Sequence, residues 1–292
     1  MISFIKSKGK NQQRVIAVAA AEDAHVLQAV KDAADAALAS FVLVGDKAKI
    51  VQLADNIGLN ADVDIIDCPD TDKAAAKAVA LVADGKADAL MKGLLDTSAI
   101  LKAALNRYAG IRGTGRLSHL AAFELPTYNK LLFVTDSAIN IAPDFDGFKD
   151  IINNAVAAVT NLGIKNPKVA LLAAKEKPDN KMPITMVYEE LKAAHNSGLI
   201  PHCILDGPLA LDGAISKESL AIKGINSPLE GEADILICPD IEAANILYKA
   251  LTFLSKARGG GMVIGAKCPI ILTSRSDTAE TKLLSIALST LA

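Results

Sequence analysis

A serine and an arginine follow directly on the apolar run 269-PIILT-273, and an aspartate stands two residues beyond them: Ser274, Arg275 and Asp277. They close a series of polar groups, each placed just past a short apolar segment: Lys92-Gly93, Asp136-Ser137, Asp206-Gly207-Pro208, Pro239-Asp240 and Ser274-Arg275. In open α/β sheets ligands gather at the carboxyl ends of strands, so shared placement at those ends points to a binding site. The same residue types also make ordinary turns, and each taken alone fits that structural reading as well. Asp277 has two readings. With Glu280 three residues on it forms a capping box for a last helix, and beside Arg275 it is placed to act as a general base.

The segment 92-KGLLDTSAILKAALN-106 sets Lys92 and Gly93 after a strand and Thr97 or Ser98 at a helix start. Free N–H groups and the positive dipole end of a helix suit phosphate. The alternative is a capped helix after a glycine turn. The order GxxxxGK[ST] is missing, and Gly110, Gly113 and Gly115 neither match GxGxxG nor follow a strand. Of His25, His119, His195 and His202 no two make a metal or nucleophile pattern. His119, in 117-LSHLAAFEL-125, follows a basic loop and is the histidine with a ligand role in view.

Charge is unevenly spread. Thr97 to Phe123 holds no acid but has Lys102, Arg107, Arg112 and Arg116; Ala243 to Ser276 holds none but has Lys249, Lys256, Arg258, Lys267 and Arg275. Two such stretches in a chain of net charge −2 suggest local binding of a polyanion, although 151–175 is also acid-free. The overall balance argues against a nucleic-acid protein, which would carry a basic face.

Strand–helix alternation must position these residues. Runs such as 14-RVIAVAA-20, 41-FVLVG-45, 88-DALMK-92, 131-LLFVTD-136, 168-KVALLAA-174, 233-ADILIC-238 and 269-PIILTS-274 read as strands. Stretches of helical period such as 23–38, 71–84, 148–162 and 277–288 lie between or after them. That alternation predicts a parallel α/β architecture. Residues AVILMFWYC make up 51% of the 292, with 4% aromatics and no Trp, which suits strands packed closely between helices. Cys68, Cys203, Cys238 and Cys268 have no CxxC spacing and read as free buried thiols. The basic N-terminus has no apolar core of a signal peptide, so the expectation is a cytoplasmic protein without membrane or nucleic-acid partners.

The segments 91-MKGLLDT-97, 113-GTGRLSHLAAFELP-126, 134-VTDSAINIAPD-144, 182-MPIT-185, 205-LDGPLALDGAIS-216, 233-ADILICPDIEAANILYKAL-251 and 265-GAKCPIILTSRSDTAETK-282 together resemble the phosphate acetyl/butyryltransferase family. The resemblance spans about residues 90–290. It implies two parallel-sheet α/β domains with a cleft between them, like the isocitrate and isopropylmalate dehydrogenases. The expected partition is 1–133 with 264–292 as a discontinuous first domain, and 134–263 as the second. The implied reaction is acyl-CoA plus phosphate giving acyl phosphate plus CoA. No metal or other cofactor is expected, coenzyme A being a substrate, and the expected assembly is a homodimer or higher homo-oligomer. Ser274 and Arg275 match the family's phosphoryl-contacting pair; Asp277 matches its base, with Glu280 and His119 as alternatives. Lys92, Gly93, Thr97, Lys102, Arg116, His119, Asp206, Pro239, Asn245 and Lys249 are the implied substrate- and CoA-binding residues. Lys102 stands where the family has arginine and lacks its bidentate fork. The chain length and the ending LTSRSDTAETK lean towards butyryl over acetyl transfer. An NAD(P)-dependent hydroxy-acid dehydrogenase of the same fold is the rival reading.

Overall fold

The computed structural model describes residues 14–59, 63–108, 111–113, 115–274 and 277–291. In chain order the elements begin with β1 (Arg14–Ala19), α1 (Ala24–Asp35), β2 (Ala39–Gly45), α2 (Lys47–Ile57), β3 (Asp64–Asp67), α3 (Thr71–Ala83), β4 (Ala89–Lys92) and α4 (Thr97–Ala104). Next come β5 (Ser118–Glu124), β6 (Leu132–Thr135), α5 (Phe145–Asn161), β7 (Lys168–Leu172), α6 (Ile184–Asn196), β8 (Ile204–Leu209), α7 (Leu211–Ile215) and α8 (Lys217–Lys223). The chain ends with β9 (Ile235–Ile237), α9 (Ile241–Lys249) continued by a π-turn (Ala250–Leu254), β10 (Arg258–Ile264), β11 (Ile270–Ile271) and α10 (Ala279–Ser289).

Aspartates set most of the strand-to-helix turns. Asp23, Asp46, Asp70, Asp144 and Asp240 each accept a backbone N–H from the first turn of the helix that follows. This satisfies an orphan donor and places a carboxylate at the positive end of the dipole. The turn chemistry legible in the sequence is therefore largely capping chemistry.

Two compact units form, Met1–Gly115 with Gly259–Ala292, and Arg116–Arg258. In the first the strand order is β3-β2-β1-β4-β11-β10. Its pairs are parallel except β10 with β11, where Val263 faces Ile270. Its centre is made by Ile16, Val18, Leu43, Leu90, Met91 and Ile271, all fully buried. Each such side chain contributes about 1.5–3 kcal/mol on leaving water. In the second unit the order is β5-β6-β9-β7-β8, parallel except for the β5–β6 hairpin. Phe123, Leu132, Val134, Leu172, Leu209 and Leu236 belong to one apolar cluster there. Tyr188 is fully buried beside Phe148, rings 5.7 Å apart and edge to face, and its hydroxyl donates to Leu172 O at 3.1 Å.

Two expectations change. The units divide after Gly115 and Arg258, not after 133 and 263, because 118–124 is a strand that pairs with β6: Ala121 faces Val134 and Phe123 faces Leu132. The segment SHLAAFE has weak β-propensity and its alternation is blurred by small residues, so pairing decides its state. The expected parallel α/β architecture is present, with β5–β6 and β10–β11 as its antiparallel pairs. The last strand is shorter than 269–274, because the backbone turns away after Ile271 to place Thr273 and Ser274 at the site.

Candidate active site

In the first unit the candidates Lys92, Gly93 and Ser274 border a cavity of about 110 Å³ whose wall also includes Asp23, His25, Thr273 and Lys282. At ~30 Å³ per liquid water this is room for about three to four waters, a fit for a small oxyanion or the phosphoryl end of a larger molecule.

Lys92 ends β4 and is only 7% exposed; its ammonium donates to Gly93 O at 3.3 Å and Leu95 O at 3.1 Å. Gly93 is required sterically. A Cβ there would sit 2.1 Å from Ala20 O and 2.7 Å from Ala19 O, because the chain after β4 runs against the end of β1. Gly93 N–H donates to Ala19 O at 2.8 Å and Leu94 N–H to Ala20 O at 2.7 Å.

Behind Ser274 in the chain, Asp277 Oδ2 accepts the backbone N–H of Ser274 at 2.7 Å, and Asp277 N–H donates to Ser274 O at 3.2 Å. Lys282, 2% exposed on α10, donates to Ser274 O at 3.2 Å and Asp277 O at 2.6 Å. Arg275 lies outside the described residues. The capping-box reading of Asp277 is corrected: Thr278 caps α10 by accepting Thr281 N–H at 3.1 Å, which leaves Asp277 closing the preceding turn. Glu280 sits in the first turn of α10.

Thr97 is the first residue of α4 and Asp96 holds the cap position, so the helix start carries its own carboxylate. Lys102, exposed on α4, borders a separate groove of about 420 Å³ with Asp72, Ser98 and Asn106.

The second unit gathers His119, Asn245 and Lys249. His119 is buried on β5, with Nδ1 2.8 Å from Ser137 Oγ and its ring edge-on to Tyr248 at 6.0 Å. Asn245 on α9 donates its amide to Ser137 O at 3.1 Å. The Lys249 ammonium lies 5.3 Å from the Tyr248 ring centre and 5.7 Å from that of Phe253, within cation–π range. Pro239 follows β9 immediately before the capping Asp240. Cys238 just before it is pushed up to about 12 by burial, with the Asp240 charge adding to the effect.

Other candidates have structural partners. Asp136 accepts the N–H groups of Ala138, Ile139 and Asn140 and the Asn140 amide, which makes it the organiser of the turn after β6. Asp206 accepts the Ser227 hydroxyl at 2.7 Å and faces Lys192 at 3.6 Å. Arg116 is exposed, its guanidinium 3.5 Å from the Asp144 carboxylate and its N–H on Asp150 at 3.2 Å.

Sequence reasoning missed Lys282, Thr273 and Asp23. For Lys282 a signal existed: it shares one face of α10 with Ile286 and Ser289, both buried, which is no place for a solvated lysine. Among the described residues no group of three or more His, Cys, Asp or Glu could hold a metal ion. No helix among them is long and apolar enough to cross a membrane.

Comparison with known proteins identifies the family. The sequence model described as phosphate acetyl/butaryl transferase matches residues 1–77 and 69–290. Phosphate butyryltransferase of Clostridium acetobutylicum is 44% identical over 289 residues, covering 99% of this chain and 96% of that protein. Phosphate acetyltransferase of Thermotoga maritima is 40% identical over 290 residues, covering 99% and 97%. The crystal structure of a branched-chain phosphotransacylase from Enterococcus faecalis aligns with a TM-score of 0.85 at 35% identity, over 95% of this chain and 98% of that one. These relatives are acyltransferases, so the dehydrogenase reading is set aside. The chain is a member of the phosphate acetyl/butyryltransferase family, an acyltransferase of the α/β class.

Proposed function

We propose that this enzyme moves a short acyl group, butyryl by preference, reversibly between coenzyme A and inorganic phosphate. The observation that carries the reading is the full-length similarity to phosphate butyryltransferase, together with a small cavity that Lys92, Lys282 and Ser274 border.

In the direction of CoA acylation, the CoA thiol loses its proton to a carboxylate and its sulfur attacks the acyl carbon of the acyl phosphate. The bond from that carbon to the phosphate oxygen then breaks, and phosphate leaves with the electron pair. A free thiol is only a few per cent thiolate at neutral pH, so the proton acceptor matters. Asp277 is assigned that role. Charge grows first on the carbonyl oxygen and then on the departing phosphate; Ser274 and Arg275 are assigned to it, with Lys92 on the same cavity wall as Ser274. Thr97, Lys102, Arg116, His119, Asp206, Pro239, Asn245 and Lys249 are assigned to substrate binding. Of these, His119, Asn245 and Lys249 have the most coherent local arrangement. The steps balance without a metal or redox group. A homo-oligomeric, cytoplasmic enzyme completes the proposal.

The test is an acyl-CoA series from acetyl to hexanoyl with phosphate, following thiol release. The expected outcome is a kcat/KM maximum at butyryl. A maximum at acetyl moves the enzyme to acetyl transfer, and no phosphate-dependent thiol release with any member overturns the reading.

A further inference from the structure

Lys282 is the most deeply buried lysine among the described residues that border the candidate site. Removing an ammonium from water costs several kcal/mol even after relaxation. Ile286 and Ser289 on the same face of α10 are buried, and a methionine or leucine at 282 would serve packing alone without that cost. What the ammonium does instead is specific. Two of its three protons go to Ser274 O and Asp277 O, the carbonyls on either side of positions 275 and 276. The same two residues are joined by the Asp277 carboxylate on Ser274 N–H and by Asp277 N–H on Ser274 O. Four hydrogen bonds thus tie residues 274, 277 and 282 together, and two of them come from one buried charge.

We propose that Lys282 is a positioning residue for acyl transfer: its ammonium holds Ser274 and Asp277 together and so fixes where Ser274 stands on the cavity wall and where the Asp277 carboxylate stands beside Ser274. The inference rests on the acyltransferase reading above. It differs from a packing role in what it demands. Loss of the clamp should damage the rate of the bound complex more than substrate binding, since an error of about 1 Å in a reacting group costs ~10²-fold.

The test compares Lys282→Met, which keeps the length and apolar stem, with Lys282→Arg, which keeps a cationic donor. Initial rates with butyryl-CoA and phosphate are paired with hydrogen exchange resolved over 272–290. Lys282→Met is expected to lose about 10²-fold in kcat with both KM values within about threefold. The Ser274 and Asp277 amides should exchange faster while the amides of 283–289 keep their protection. Lys282→Arg is expected to recover at least about tenfold of the lost rate. A kcat within about threefold of wild type in Lys282→Met overturns the proposal. So does a rate loss accompanied by lost protection throughout α10, with no recovery in the arginine variant, because that is a packing role. If wild type itself shows no transfer, the acyltransferase reading fails instead, and the exchange at Ser274 and Asp277 alone decides whether the clamp exists.

Discussion

The carboxylate of Asp277 accepts the backbone N–H of Ser274 at 2.7 Å, so the proposed base is also a structural acceptor. Asparagine keeps an acceptor oxygen there and deletes the base. Asp277→Asn is expected to lower kcat by ~10²–10⁴ with little change in Tm. Asp277→Ala should lower both, since the turn then loses a bond. A near-normal rate for the asparagine variant assigns Asp277 to the turn alone and moves the base to Glu280 or His119.

Gly93→Ala tests the close approach after β4. The added methyl would meet two backbone oxygens, of Ala20 and Ala19, and neither can move without breaking the bonds they accept from Leu94 and Gly93. A loss of about 3 kcal/mol or more in urea unfolding is expected. Activity should fall as well, because the Lys92 ammonium donates to Gly93 O. An alanine variant as stable as wild type would show that the segment accommodates the methyl.

His119 and Ser137 are joined at 2.8 Å in a buried setting. A double-mutant cycle of His119→Ala and Ser137→Ala is expected to give a coupling of about 0.5–3 kcal/mol, read from urea midpoints. Additive effects would mean that the pair carries no joint stabilisation.

Three thiols carry the pH prediction. Burial pushes Cys203 up to about 11 and both Cys238 and Cys268 up to about 12. The native state therefore holds these protons more tightly than the unfolded chain, whose thiols ionise near about 8.5. Their stabilising effect is complete below that value and is lost as pH climbs towards 11–12. Urea midpoints should fall from pH 8.5 to 10.5, and a Cys238→Ser, Cys268→Ser double variant should show a shallower decline. In native protein at pH 8 the buried Cys238 and Cys268 should react with a disulfide reagent far more slowly than in urea, and more slowly than the half-buried Cys203. Rapid labelling of Cys238 and Cys268 without denaturant would contradict their burial.

Legibility in the sequence followed the strength of local signals. The runs at 14–20 and 41–45 became β1 and β2 because β-branched residues crowd both faces of a buried parallel strand. Lys92, Gly93 and Ser274 were found from their place after apolar runs, and they do share a cavity wall. Asp136 and Asp206 were found by the same rule, which reads position and not partner: it did not foresee that Asp136 organises a turn and that Asp206 accepts the Ser227 hydroxyl and faces Lys192. Strand β5 stayed hidden because alanine and serine leave little periodic signal. Lys282 was marked only by its place on the buried face of α10; its two hydrogen bonds to carbonyls five and eight residues back were not legible, since they depend on how Ser274 and Asp277 come together.

The first unit is made from both ends of the chain, with β11 seated between β4 and β10. During synthesis, Arg116–Arg258 emerges as one uninterrupted stretch and has all its strands to hand. The unit begun by the first hundred residues has no such completeness. At ~5–20 residues per second, about 8–31 s separate the emergence of Gly115 from that of Ile271, the end of β11. For that interval the side of β4 that will receive β11 has no native partner, and its unpaired N–H and C=O groups are a template for other chains. The nascent protein therefore needs its ribosome or a holdase most during the making of its middle, not its end.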